Sequence, residues 1–281
     1  MLYCPYRFCL ICRKGVLMVV LIVILILVAI FAVYATVATN VLTVRKDTVS
    51  FSALPESADG LKIVLISDLH DRDMNRRLAN KIKEQNPDMI VVCGDVHNRE
   101  RKRVPFFRLA KRLCRICPVF FVRGNHDPFV SDAFFYDRLR EFGVHVLENS
   151  SEEFRGLTVY GAGFNCEIPE FSDGFSLLLA HDPEVFDRVF KRPFLTLSGH
   201  VHGGFIEIPF VGGLVRPRSG NSVLKYFKKD SYLPKYYKGV YSVKGKKLVV
   251  SRGIGCSGVP FRLIPPEINV ITLEKKYKQA F

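Results

Sequence analysis

Gly199-His200-Val201-His202-Gly203-Gly204 follows Phe194-Leu195-Thr196-Leu197-Ser198, a short apolar run that reads as a buried strand. Histidines two apart lie on one face of a strand. Ordinary alternation would account for them, but the glycines on either side point to a strand that ends in a tight turn. There the backbone can approach an ion or ligand closely. Neutral imidazoles are the commonest metal ligands, so the stretch reads as a candidate metal site at a strand end.

Upstream, the chain repeats this arrangement. Leu61 to Ile66 reads as a strand and runs into Ser67-Asp68-Leu69-His70. Met74 to Gln85 follows with helical spacing and stops before Pro87. Met89 to Cys93 is a second strand, ending at Gly94-Asp95. Val104 to Ile116 reads as a basic amphipathic helix. Val119 to Val122 is a third strand, ending in Arg123-Gly124-Asn125-His126-Asp127. Strand, helix, strand, helix, strand predicts parallel pairing with right-handed crossovers, and sites in such sheets form beyond the carboxyl ends of the strands. Further strands are expected at 157–160, 176–180, 194–198, 248–250 and 268–273, the second of them closed by His181. Together they predict a second sheet packed on the first, with helices outside. The segment from Arg216 to Lys247, basic and rich in Tyr, Gly and Pro, reads as a long loop near the site mouth.

Asp68, His70, Asp95, Asn125, His126, His181, His200 and His202 each have an ordinary reading, as helix cap, turn residue or satisfied core histidine. Their shared position at strand ends is what singles them out. In order, Asp68-Leu69-His70, Gly94-Asp95, Gly124-Asn125-His126-Asp127, His181 and Gly199-His200-Val201-His202 resemble the five signature blocks of the calcineurin-like metallophosphoesterases. The ends Ser251-Arg252-Gly253-Ile254-Gly255 and Pro265-Pro266-Glu267-Ile268 resemble the membrane-anchored bacterial branch, some members of which cleave UDP-2,3-diacylglucosamine, a lipid A precursor. The resemblance implies an α/β fold, a four-layer α/β/β/α sandwich of two mixed sheets, with two divalent metal ions between them. Asp68, His70, Asp95 and His202 would hold one ion. Asp95, Asn125, His181 and His200 would hold the other, with Asp95 bridging. His126 would be the catalytic histidine at the leaving group, with Asp127 orienting it.

Two ions ~3.5–4 Å apart need a shared anion, and such a pair can activate water against phosphorus. Only two of the ligand side chains are carboxylates, so the loaded site is cationic and suits a phosphate. Mixed nitrogen and oxygen ligands fit Mn, Fe, Zn or Co. Arg72, Arg123 and Arg252 are candidate phosphate contacts. Asp71 and His97 belong to no block and read as rim residues. The Gln common after the two glycines is Phe205 here.

Ahead of this domain, Val16 to Thr39 carries no charge and is long enough to cross a bilayer. It exceeds the ~7–15 residues of a signal-peptide core and reads as an uncleaved anchor. The expected layout is a basic tail over 1–15, a transmembrane segment over 16–39, a linker or first strand over 40–60, and the metallophosphoesterase domain over 61–281. Orientation is marked in opposing senses: the flanking cations place the N-terminus in the cytoplasm, whereas unpaired cysteines suit a cytoplasmic main domain. Five of the eight cysteines follow the apolar run without framework spacing, which excludes a disulfide-built fold. The formal net charge of +14 suits phosphorylated or anionic partners. The expected partners are therefore the bilayer and a lipid-linked phosphate substrate; the anchor and the lack of an aromatic-basic stripe argue against nucleic acid. The competing readings are a phosphodiesterase or phosphatase acting outside the membrane on another substrate, and a scaffold without turnover. The scaffold reading is weakened because every ligand position and His126 are present.

Overall fold

The computed structural model describes residues 5–98, 103–128, 132–168, 170–189, 193–204, 206–208, 212–214, 234–256 and 260–277; for 5–14, 206–208 and 212–214 only the backbone is described. A long helix, α1 (Pro5–Asn40), leads into strand β1 (Thr43–Phe51). There follow β2 (Lys62–Ile66), α2 (Asn75–Lys83), β3 (Met89–Cys93), α3 (Arg103–Leu113), β4 (Val119–Val122), α4 (Ala133–Glu141) and β5 (Val144–Val146). The second half contains β6 (Ser150–Phe154), β7 (Leu157–Ala162), β8 (Ser176–Ala180), α5 (Val185–Arg188), β9 (Leu195–Ser198), β10 (Ile206–Ile208), β11 (Gly212–Leu214), β12 (Gly239–Val243), β13 (Lys246–Val250) and β14 (Glu267–Lys275).

The strands form two six-stranded sheets, ordered β1-β14-β2-β3-β4-β5 and β12-β13-β9-β8-β7-β6, and a small β10-β11 hairpin. Both large sheets are mixed. In the first, β2, β3, β4 and β5 are parallel, and β14 runs antiparallel to β2. In the second, β7, β8, β9 and β13 are parallel, while β6 and β12 are antiparallel edges. The parallel strands of both sheets end on the same side of the sandwich, which brings the strand-end clusters together.

Strand alternation builds the layers. Met89, Val91 and Cys93 of β3 point between the sheets, where they meet Leu177, Leu179, Leu195, Leu197 and Val249. Ile90 and Val92 point the other way, onto Leu78 and Ile82 of α2, Phe106, Leu109 and Leu113 of α3, and Phe135 and Leu139 of α4. A strand covered on both faces reads as a continuous apolar run, and this one does. The fourth layer is thinner. Val185 and Val189 cover Tyr160, Leu178 and Ala180, and Phe186 and Tyr236 cover Leu248 and Val250.

α3 spends its apolar face on the first sheet, as a sheet-covering helix with a solvated basic face. One local expectation is revised. Part of the supposed loop 216–247 is the edge strand β12; residues 216–233 lie outside the described residues. Cys114 and Cys117 pack against the helix-covered core, and burial pushes their thiols up to about 11 and about 12. They act there as small apolar groups rather than reactive thiols.

Within α1, Gly15–Asn40 is long and apolar enough to cross a membrane, with a mean hydropathy of 3.7 in its most apolar window. Its last turns meet the sandwich. The Phe31 ring packs edge-on to Phe261 at 6.1 Å, Tyr34 donates to the Leu263 carbonyl at 2.8 Å, and Ala35 and Ala38 are buried.

Candidate metal centre

All eight strand-end residues converge at one end of the sandwich. Asp68, Asp95 and Asn125 follow β2, β3 and β4; His181 follows β8; His200 and His202 follow β9. Two groups have ligand atoms close enough to share an ion: Asp68, His70 and His202, and Asp95, His181 and His200. His70 Nε2 faces His202 Nε2 at 3.0 Å, and His202 Nε2 is 3.5 Å from Asp68 Oδ1. In the second group His200 Nδ1 faces His181 Nε2 at 3.0 Å, and Asn125 Oδ1 lies 3.0 Å from the same nitrogen. Asp95 Oδ2 lies between the groups, 3.3 Å from His181 Nε2 and 3.7 Å from His70 Nε2.

These spacings fit divalent ions. Two ligands held ~2.0–2.2 Å from one ion at tetrahedral or octahedral angles stand ~3–3.5 Å apart. The ring orientations fit as well. His181 Nδ1 donates to the Cys93 carbonyl at 2.7 Å, and His70 Nδ1 donates to Asn98 Oδ1 at 3.1 Å. Each ring thereby turns its other nitrogen toward the centre, the one that would ligate an ion once deprotonated.

The electrostatics are those of charges crowded out of water. Burial, with Asp95 nearby, pushes Asp68 up to about 6. Burial pushes His70 down to about 4. Asp95 is also buried, yet His181 and His70 hold it well below the usual carboxylate range. Burial opposes protonation of His181, but the charge of Asp95 overrides it and raises that ring to about 10.

The backbone at the centre is strained. Asp68, His70, Asp95, His200 and His202 all have φ between 45° and 73°. A left-handed conformation costs a non-glycine residue about 1–2 kcal/mol. The surrounding core sustains that cost, since each fully buried large apolar side chain contributes about 1.5–3 kcal/mol. Close approach explains two of the signature glycines. A Cβ at Gly124 would collide with the Asp95 carboxylate, and one at Gly199 with Ser67 and Asp68.

Asp127 takes a different part from the one expected. Its carboxylate accepts from the backbone amides of Gly124 and Asp95 at 2.8 Å on one oxygen, and of Val96 and His97 at 2.8 and 3.3 Å on the other. It clamps the loop after β3 to the loop after β4, so orientation of the His126 ring by Asp127 is corrected to positioning of the backbone. His126 is exposed, its amide donates to Asp95 Oδ1 at 2.8 Å, and its ring stands edge-on to His70 at 5.1 Å. With Asn125, His97, Arg123, Phe164 and Asn165 it lines a cleft of about 540 Å³.

The three candidate arginines divide. Arg123 borders the cleft while its Nε reaches Glu148 at 3.1 Å. Arg72 donates to the carbonyls of Ile254 and Thr39, which ties the end of α1 to the domain. Arg252 Nε lies 3.5 Å from Glu267. Phosphate contact is therefore corrected for Arg72, both of whose terminal nitrogens are taken up by carbonyls. His97 and Asp71 are also not rim residues: their side chains are buried, 3.6 Å apart, and His97 reaches the cleft. Phe205 lies outside the described residues.

Sequence reasoning missed Phe164 and Arg262. Phe164 follows β7, and its ring lies 5.7 Å from His200 and 6.0 Å from His181. Its place just beyond a strand end was the available signal. Arg262 is buried, and burial lowers it to about 10. Its guanidinium donates to the carbonyls of Ile264, Gly255, Arg252 and His202, the last at 3.2 Å. A lone cation in the apolar stretch Phe261-Arg262-Leu263-Ile264 was the only hint.

Residues 61–206 match the family model described as calcineurin-like phosphoesterase. The chain belongs to that family. It is accordingly a hydrolase of the phosphoesterase class. It is similar to an uncharacterized metallophosphoesterase, YkuE, of Bacillus subtilis (strain 168), with 28% identity covering 84% of this chain and 86% of that protein. An uncharacterized metallophosphoesterase of Aquifex aeolicus (strain VF5) is 28% identical over 85% of this chain and 94% of its own length. A transmembrane protein with metallophosphoesterase domain of Danio rerio is 28% identical over 79% of this chain and 55% of its own length. No relative named for UDP-2,3-diacylglucosamine is among these three, so that branch stays an expectation.

Proposed function

We propose that this chain is a dinuclear-metal phosphoesterase held in a membrane by α1, hydrolysing a phosphodiester or pyrophosphate bond of a lipid-linked substrate. The observation that carries the chemistry is the place of Asp95 Oδ2, within 3.7 Å of one ring from each cluster. One ion would be held by Asp68, His70, Asp95 and His202, the other by Asp95, Asn125, His181 and His200. When bound, the ions would supply charge neutralisation of the phosphate and an activated water. Asp95 keeps the two positions at a fixed spacing. His126, exposed at the cleft and held by its amide on Asp95, would protonate the leaving oxygen. Arg123 would contact phosphate from the cleft wall.

The test uses the full chain in detergent, loaded with Mn²⁺, Fe²⁺, Zn²⁺ or Co²⁺ in turn. Metal-dependent hydrolysis of bis-p-nitrophenyl phosphate supports the chemistry. Because p-nitrophenolate leaves without a proton, the acid is tested on an alkyl phosphodiester, where His126→Ala should cost ~10²–10⁴-fold with metal content kept; full activity there removes its role as acid. UDP-2,3-diacylglucosamine, the first lipid candidate, is assayed alongside: release of UMP supports that substrate and a cytoplasmic face, and activity on the generic diester alone discards it.

A further inference from the structure

The anchor and the metal centre lie at the same end of the molecule. Thr43, first in β1, pairs with Glu267, first in β14. β14 runs antiparallel to β2, with Asn269 opposite Leu65. α1 therefore enters beside the end of β2 that carries Asp68. Its depth can be estimated. The apolar run of 24 residues is ~36 Å long as a helix, against a hydrocarbon core of ~30 Å. If all ~6 Å of surplus lies at the C-terminal end, Phe31, ~12 Å before Thr39, is still inside the hydrocarbon. Phe261, packed on Phe31, reaches that boundary too. Its neighbour Arg262 holds the His202 carbonyl.

On the far side of the centre a second feature faces the same way. β3 and β4 end there, so α3 and α4 start there. Their first turns expose Val104 (52%) and Phe134 (66%), and the Phe134 ring lies 6.3 Å from Phe107. His97, on the cleft, is 4.8 Å from Phe135 and 6.1 Å from Phe106, so these helix tips adjoin the cleft. α3 carries four cations and no acid; Arg103, at the tip, pairs with Asp132, which leaves Arg108, Lys111 and Arg112 for longer-range attraction. β1 and β4 are four strand spacings apart, roughly 19 Å, with the ligands of β2 and β3 between them.

We propose that Val104 and Phe134 form a second membrane contact, seated in the anionic leaflet surface from which α1 emerges, so that the metal centre lies between two bilayer contacts and meets the phosphate of a lipid head group. Apolar tips supply insertion, and the cations of α3 supply attraction to anionic lipid. This rests on the reading of α1 as a membrane anchor.

The chain contains no tryptophan, so a single introduced indole reports its own surroundings. L27W in α1, F134W at the tip and V243W at the opposite end of the sandwich would each be placed in the full chain. Each is reconstituted into phosphatidylcholine vesicles with and without phosphatidylglycerol, and brominated lipid is used as quencher. The expected result is blue-shifted, quenched emission from L27W and F134W, stronger for F134W with phosphatidylglycerol, and neither change for V243W. F134W emission matching V243W while L27W is quenched would overturn the proposal and leave the patch to a protein partner. Unquenched L27W would overturn the anchor reading and the proposal with it. Equal quenching of F134W in both vesicles would overturn the part assigned to α3.

Discussion

The two ligand clusters share Asp95 but are held from different directions. The Asp95, His181, His200 cluster is built from inside the sandwich. His181 is fully buried, its outer nitrogen is fixed by the main chain of β3, and the Asp127 clamp locks the loops on either side. The Asp68, His70, His202 cluster is held from outside. His202 keeps a side-chain exposure of 21%, and its carbonyl rests on Arg262. The amides of Ile254 and Gly255 bond back to Ser67 and Asp68. That loop in turn grips Thr39 at the end of α1, through the Arg262 amide at 2.8 Å. Both clusters rest on the core, and the Asp68, His70, His202 cluster is braced in addition by a late loop and the end of α1. Substitutions that loosen one support should therefore empty one cluster and spare the other.

Asp95→Asn should have the largest effect, because it attacks what the clusters share. An amide cannot supply the negative charge between two cations. Catalytic efficiency should fall by roughly 10³-fold or more, about 4 kcal/mol of barrier, with metal content below two ions per chain. Retention of both ions by this variant would break the bridging assignment. Asp127→Asn should come next and act on one side. Both carboxylate oxygens accept backbone amides, and the Asn amide group would point N–H at N–H. The expected cost is about 1–3 kcal/mol of stability, with a roughly 10–100-fold weaker second ion, read by thermal unfolding and metal titration. Equal loss at both clusters would dissolve the distinction.

The difference in support also sets what is legible in the sequence. Asp68, His70, Asp95, Asn125, His181, His200 and His202 can be found because each ends a strand, and strand ends are readable from apolar runs and glycines. The two sheets are legible for the same reason. Asp127 falls in the right loop with the wrong partner: adjacency to His126 suggests contact, but neighbouring side chains in a turn diverge, and its carboxylate turns to amides across the loop. Arg72 reads as a phosphate ligand because it is a cation beside a motif. Its carbonyl partners, on Thr39 and Ile254, come from residues far along the chain. Arg262 carries almost no local signal: Ile264, Gly255 and Arg252 lie within ten residues but are gathered round it by an irregular loop that no periodicity marks, and His202 is 60 residues away. β1 falls within 40–60, expected as a linker or first strand, and α4 is matched by no expected element.

Arg262→Lys sharpens the comparison from the other side. Lysine keeps the charge but cannot spread donors over four carbonyls. It should weaken the first ion ~10-fold while the second titrates as in the parent. A second-ion affinity that falls equally would show that the loop serves both clusters. Thr39→Val should be smallest. It removes the hydroxyl that accepts from the Arg262 amide, a bond contributing about 1 kcal/mol, yet leaves the Thr39 carbonyl to Arg72. The helix remains apolar enough to insert, so a change at the first cluster would come from the junction rather than from loss of the anchor. We expect a small fall in first-ion affinity in the vesicle-bound chain and none at the second. If both affinities stay at parental values, the junction only tethers the domain, and support of His202 must end at Arg262.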